Sequence, residues 1–184
     1  MQRQMFDFLD SKKSRHLVCH VHRGGGKSHG AVLRAIEVAL KKAPSDIKYF
    51  GPNEKMVRKI AMPIMRKILV NSPESAMPKW NGKDSIYEFP NHSAISMAAA
   101  DGHADSHRGT DTHLGILDEE GFMIDPDYAV NDVLMPRVIP VDGQILHIST
   151  SPRSPSHPFA MRVEQAQKDG NYIALRAKDN PRSE

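Results

Sequence analysis

Three glycines, a lysine and a serine, Gly24, Gly25, Gly26, Lys27 and Ser28, end the segment VHRGGGKS (residues 21–28), and these residue types suit a polyphosphate. Glycine lets the backbone turn N–H groups toward phosphate oxygens, and a helix that starts at the lysine points its positive end at the same place. In that pattern Lys27 reaches the β and γ phosphates, and the Ser28 hydroxyl is a ligand for Mg2+, which prefers oxygen and keeps several waters. The standard pattern has glycine where this chain has Val21, so the tripeptide alone is a moderate signal. A second segment, Leu114 to Glu120 (LGILDEE), delivers acidic residues at the end of an apolar run. Phosphoanhydride hydrolysis needs carboxylates for two tasks. Asp118 suits a water-mediated hold on the metal, and Glu119 suits orienting and deprotonating the attacking water, with Glu120 as its rival. Phosphate loop and acidic strand end together predict hydrolysis of ATP with Mg2+.

These groups need a sheet edge to hold them. Residues 16–21 (HLVCHV) form an apolar run, and residues 29–42 repeat apolar positions at Val32, Ile36 and Ala39, with Leu33 and Leu40 beside them. This is strand, glycine-rich turn, helix. Ile47 to Gly51 is a second strand ending at Pro52, after which Asn53 caps a helix with Met56, Ile60, Ile64 and Ile68 on one face. Pro63 should kink or end that helix, and Lys55, Arg58, Lys59, Arg66 and Lys67 cover its other side, as a solvated face or a DNA-contacting one. Residues 71–84 read as a loop. Ile86 to Phe89 and Ala94 to Ala98 read as a hairpin around Pro90, Asn91 and His92. Leu114 to Leu117, Ile145 to Ile148 and Tyr172 to Leu175 are further strands, and 129–135 and 158–168 are helix candidates. Strands that are apolar throughout, interleaved with helices, predict an α/β fold with a mainly parallel sheet covered on both faces.

Composition sets the outer bounds. The 184 residues, 39% hydrophobic, suffice for one compact domain but not two. Twenty-five Lys and Arg against 22 Asp and Glu give a formal charge of +3, which permits an acidic partner without demanding one. Cys19 stands alone in an apolar run, excludes an internal disulfide and reads as a small buried hydrophobe, in keeping with a reducing compartment. No apolar stretch approaches the roughly 18 residues of a membrane span, and no signal-peptide core is present. Among ten histidines, His103 and His107 lack a third ligand at metal-site spacing, and His22 and His29 flank the glycine loop as solvated groups.

Nearly the whole chain resembles the large terminase subunits of tailed bacteriophages and their prophages. Arg23, four residues before Lys27, falls where that family has an arginine in a variant phosphate loop that tolerates loss of the first glycine. Tyr49 to Pro52 (YFGP) is similar to the family segment after the second strand. Phe89 to Gly109 is similar to its Asn-Gly-Ser hairpin followed by an Asp-x-x-Arg-Gly element, with His92 in place of the usual glycine. Asp118 and Glu119 match its Asp-Glu, and Ile148 to Pro152 (ISTSP) resembles its coupling motif, which senses the γ-phosphate. Thr150 and Ser151 compete for that role, as Gln2 and Gln4 compete for an adenine-reading glutamine upstream of the loop. Two arginines qualify to stabilise transition-state charge, a contribution of roughly 10³ to 10⁵ in rate for such groups. Arg23 would act in cis, and Arg108 resembles a position that serves the neighbouring subunit of a ring, or else pairs with Asp105 or Asp111.

The resemblance implies a P-loop NTPase of the RecA/ASCE-like class, a three-layer sandwich with a mainly parallel central sheet and helices on both faces. It implies an ATPase that drives double-stranded DNA into a procapsid, as a homo-oligomeric ring at the portal vertex in the host cytoplasm. The portal protein, the procapsid and a small terminase subunit are the expected partners, with no membrane. Residues 1–184 would be the ATPase domain alone, with 177–184 (AKDNPRSE) the start of a linker. After residue 160 only Glu164, Asp169, Asp179 and Glu184 are acidic, so no nuclease site is assigned. A P-loop helicase or nucleic-acid remodeller and a non-hydrolysing nucleotide-binding assembly module are the alternatives. The first would need a second RecA-like domain, the second a misplaced Glu119.

Overall fold

A computed structural model describes residues 1–101 and 109–176. Eight strands form one sheet in the order β3-β4-β5-β2-β6-β7-β1-β8. They are β1 (His16–Val21), β2 (Asp46–Gly51), β3 (Lys79–Asn81), β4 (Ile86–Glu88), β5 (Ala94–Ala99), β6 (Leu114–Asp118), β7 (Gln144–Ser149) and β8 (Tyr172–Leu175). From β5 to β8 neighbouring strands are parallel, and the antiparallel pairings, β3 with β4 and β4 with β5, lie at one edge.

Side-chain alternation along each strand assigns the two faces. Leu17, Cys19 and Val21 of β1, Ile47 and Tyr49 of β2, and Ile116 of β6 face one layer, formed by α1 (Gln2–Ser11), α2 (Lys27–Lys41) and the helix ending in α4 (Met62–Leu69). Phe50, Leu117 and Ile145 face the other layer, where α5 (Pro126–Tyr128) leads into α6 (Met135–Val138), while Val18 packs on α7 (Pro158–Asp169) through Phe159. The result is a helix–sheet–helix sandwich of the α/β P-loop type. Strand β7 lies between β1 and β6, so the strand that ends in the glycine-rich loop and the strand that ends in Asp118 both flank the one that leads to Thr150.

Several local devices depart from the sequence pattern. Asn53 caps α3 (Glu54–Met56), its side chain accepting from the Met56 amide at 3.0 Å, as expected. Pro63 neither ends nor breaks the following helix. A π-helical turn, Val57–Ala61, precedes it, and the wider turn accommodates a proline that can donate no hydrogen bond. The same arrangement recurs at Pro136, behind the π-helical turn Ala129–Leu134. The buried stripe is Val57, Ala61, Met65 and Leu69; the expected Met56, Ile60, Ile64 and Ile68 are only half-buried. The contact that selects it is Val57 on Gly51, where a Cβ would stand 2.7 Å from Val57 Cγ2.

Two elements lie where none was expected. Helix α1 buries only Met5 and Leu9, one turn apart, and β3 is a three-residue edge strand inside the segment read as a loop, with Trp80 against Tyr87 at 4.6 Å between ring centroids. The β4–β5 turn closes through His92, whose φ of 67° is the left-handed conformation that glycine adopts most readily. Arg108, His103, His107 and residues 177–184 lie outside the described residues. Among the described residues no helix is long and apolar enough to cross a membrane.

Candidate active site

Strand β1 runs into the loop and α2 leaves it. Gly24 and Gly26 take positive φ angles, 79° and 74°, and Gly26 is the residue preceding α2. Gly25 is required for a different reason. A Cβ there would stand 2.5 Å from Val21 Cγ1, so the valine that replaces the usual first glycine fills the space that Gly25 leaves. Lys27, at the first turn of α2, is buried, and its Nζ lies 2.8 Å from Glu119 Oε1.

The acidic strand end is built by one unusual residue. In an extended strand Asp118 and Glu120 would share a face and Glu119 would point away. Instead Glu119 adopts φ 57°, ψ 40°, a left-handed conformation that costs a non-glycine residue roughly 1–2 kcal/mol. Asp118 Oδ2 accepts a hydrogen bond from the Tyr49 hydroxyl on the α2 face, and Glu119 turns to the same side to meet Lys27. Glu120 goes to the opposite face, fully buried, where its carboxylate accepts from His147 Nδ1 at 2.8 Å and Arg162 Nε at 2.9 Å. Of the two glutamates, Glu119 faces the loop and Glu120 does not.

Burial raises the Asp118 carboxyl above its usual range, and the Tyr49 and Ser28 hydroxyls beside it act in the opposite sense. Burial also raises the Tyr49 phenol, with the Asp118 carboxylate adding to the effect. For Glu120 burial pushes upward too, but His147 and Arg162 outweigh it and hold the carboxyl below its usual range. Two carboxylate oxygens at the loop, Asp118 Oδ1 and Glu119 Oε2, are buried without a hydrogen-bond partner. Oxygens of this kind beside a serine hydroxyl fit a hard divalent cation that takes its remaining ligands from phosphate and water. Among the described residues no group of three His, Cys, Asp or Glu side chains is placed to hold a metal by itself.

The remaining candidates divide. Gln2 Nε2 donates to the Gly26 carbonyl at 3.0 Å, and Gln4, two residues further along α1, is exposed, so Gln2 is the glutamine at the loop. Arg23 is exposed on the rim of a cavity of about 490 Å3, where it meets Thr150, Ser151, Phe122, His20 and Arg176. Ser151 Oγ is engaged by His20 Nε2 at 2.9 Å. The segment 148–152 touches the acidic turn, since the Gly121 amide donates to Ser149 Oγ at 3.0 Å and a Cβ on Gly121 would meet that oxygen at 2.9 Å. His29 is exposed, as expected; His22 is not simply solvated, because its Nδ1 bonds the Arg23 carbonyl and its Nε2 is buried without a partner.

Sequence reasoning singled out neither Tyr49 nor Ser149 as site residues, nor His147 and Arg162. Tyr49 carried a usable signal, for on β2 it shares a face with Ile47 and so points at α2. His147 and Arg162 carried none, since they meet Glu120 only through the pairing of β6 with β7 and the packing of α7.

No protein-family model matches the sequence, and no curated protein matches it. Solved structures do. The large terminase of bacteriophage HK97 superposes with a TM-score of 0.75 at 16% identity, over 100% of this chain and 40% of that one. The large terminase of a thermophilic bacteriophage, in complex with ADP, gives 0.71 at 15% identity, over 95% of this chain and 44% of that one. The large terminase ATPase domain of Thermus phage P74-26 gives 0.60 at 16% identity, over 80% and 68%. The chain thus spans about 40% of the length of the HK97 protein but 68% of the isolated P74-26 domain. With the sheet order, the phosphate loop and the acidic strand end in place, the fold of this chain is that of the ATPase domain of phage large terminases.

Proposed function

We propose that this chain hydrolyses ATP in the presence of Mg2+ and that the hydrolysis drives double-stranded viral DNA into a procapsid. The observation that carries the reading is the Lys27–Glu119 pair, a phosphate-binding cation and a buried carboxylate 2.8 Å apart at the mouth of a glycine loop. Lys27 is positioned to exchange Glu119 for the β and γ phosphates. Glu119, released, takes a proton from the attacking water as its oxygen bonds to the γ-phosphorus and the bond to the ADP oxygen breaks. Ser28 and Asp118 are the residues that would hold Mg2+, which when bound neutralises phosphate charge. Tyr49 keeps Asp118 directed at that place, and Gln2, which donates to the Gly26 carbonyl, is the proposed adenine-reading glutamine.

Arg23 in cis, and Arg108 from a neighbouring subunit of a ring, are the proposed transition-state arginines. Thr150 and Ser151 line the cavity that Arg23 borders, which favours a γ-phosphate sensor there, with Ser149 and Gly121 linking it to the acidic turn. The terminase of the thermophilic bacteriophage has been solved with ADP and with ATP-gamma-S, and this supports nucleotide binding by the shared fold. Portal protein, procapsid and small terminase subunit are the proposed partners.

The test is steady-state Mg2+-dependent ATP hydrolysis by the chain, beside Lys27→Ala and Glu119→Ala, over a protein concentration series and with linear duplex DNA. Turnover lost in both variants supports the reading. Specific activity that rises with concentration and falls in Arg108→Ala supports a trans-acting arginine. ATP bound by the wild-type chain, with no turnover at any concentration or with DNA, would favour a non-hydrolysing module.

A further inference from the structure

Behind the site, on the α7 face of the sheet, runs a chain of charged and polar side chains that phosphate chemistry does not use. Asp127 Oδ1 accepts from Arg162 Nη2 at 2.6 Å, and Arg162 Nε donates to Glu120 Oε1 at 2.9 Å. Glu120 Oε2 accepts from His147 Nδ1 at 2.8 Å, and His147 Nε2 meets His16 Nδ1 at 3.0 Å with the two rings stacked. Glu120 and His147 are fully buried. Five elements contribute: α5, α7, the turn after β6, β7 and β1.

We propose that Glu120, His147 and Arg162 form a positioning clamp that fixes Glu119 in its left-handed conformation, so that α7 governs whether Glu119 faces the phosphate loop. The argument is geometric. Glu119 and Glu120 are adjacent, and returning Glu119 to an extended conformation would restore strand alternation, carrying Glu119 away from Lys27 and Glu120 toward the loop. That movement would strip the fully buried Glu120 carboxylate of both its partners, which is strongly unfavourable. The turn's own hydrogen bonds, Phe122 amide to Glu119 carbonyl at 2.9 Å and Met123 amide to Glu120 carbonyl at 3.0 Å, close the turn but do not anchor it to α7. Arg162 does. It is the partner reached from solvent, 19% exposed, and it divides its guanidinium between Glu120 and Asp127. Glu120 touches no substrate atom in this scheme and acts only through its neighbour.

The kinetic part of this inference rests on the proposed hydrolysis, but the conformational part does not, and the experiment separates them. The 13Cα and 13Cβ chemical shifts of Glu119 in the isotope-labelled 184-residue chain report its backbone conformation without turnover. Wild type should show left-handed values, and Glu120→Gln and Arg162→Gln should each move them toward extended values. Lys27→Ala, which removes the partner on the loop side, should leave them in place. Where turnover is measurable, kcat in the two clamp variants should fall about 10- to 100-fold, the scale of a misplaced reacting group, while ATP-gamma-S affinity should not fall, because a displaced Glu119 no longer holds Lys27. If Glu120→Gln does not fold, Arg162→Gln decides alone, since its side chain is partly in solvent. Unchanged Glu119 shifts in a folded clamp variant, or a shift caused by Lys27→Ala alone, would overturn the proposal.

Discussion

Replacing Glu119 with Gln should make the chain bind ATP more tightly while abolishing its turnover. Glu119 Oε1 holds Lys27 Nζ at 2.8 Å, with the two side chains only 14% and 9% exposed. An incoming triphosphate must take Lys27 from that carboxylate. The attraction between opposite charges contributes about 0.2–1 kcal/mol in exposed ion pairs and somewhat more in a mostly buried one such as this. Glutamine keeps a hydrogen bond to the Lys27 ammonium but loses the attraction between opposite charges, so the substitution lowers the cost of freeing Lys27 by about 1–1.5 kcal/mol. At 1.4 kcal/mol per factor of ten, affinity should rise about tenfold. Removing a negative charge beside the phosphates acts in the same direction. Isothermal titration of ATP-gamma-S into wild type and Glu119→Gln, at neutral pH and fixed Mg2+, measures the difference. An unchanged or weaker affinity in a folded variant would refute the reasoning, since it would mean that the ion pair does not compete with substrate.

Gly25→Ala places a methyl 2.5 Å from Val21 Cγ1, an overpacking expected to cost about 2 kcal/mol and lower Tm by about 4–8 °C. Adding Val21→Ala should recover most of it, and a double variant no more stable than the single one would sink the complementarity of these two residues. Stability should also fall with acid. Burial, with His147, Arg162 and Arg15 adding to it and Glu120 opposing, lowers His16 from 6.5 to about 4, and burial lowers His147 as well. Between about pH 6.5 and 4 the unfolded chain binds protons that the folded chain refuses, so the stability present above pH 6.5 is lost as pH falls through this window. Urea unfolding at a series of pH values should show a shallower loss for His16→Gln than for wild type; equal slopes would exclude His16 as a cause.

Much of the sheet was legible because its central strands are buried and read as continuous apolar runs, so β1 falls on the residues expected of it, as does the less buried edge strand β8. The loop and the acidic end were legible because their chemistry is local in sequence: Lys27, Ser28, Asp118 and Glu119 sit within two short segments that β1 and β6 bring to one edge. Short elements were not. β3 offers three residues and α1 two buried positions, too few for a period to register. The stripe on the helix after Asn53 was misread because 56, 60, 64, 68 and 57, 61, 65, 69 are both spaced by four, and only the Val57–Gly51 contact chooses between them. The strand end alone favours Glu119 over Glu120, but strand alternation does not supply the reason: a single left-handed φ turns Glu119 to Lys27.

The π-helical turns ahead of Pro63 and Pro136 make chain length a local variable in this domain. Such a turn stores one residue more than the α-helical turn it replaces, so it can lose a residue without rotating the helix beyond it. Anywhere else in these helices a one-residue deletion would swing every later side chain by about 100° and carry Met65 and Leu69 out of the core. Within residues 57–61 the lost residue would be the stored one, and the obstacle left would be Pro63, whose ring an α-helical turn does not accommodate. Each proline and its π-turn are therefore a matched pair: to lengthen or shorten either helix without repacking the core, both members have to change together.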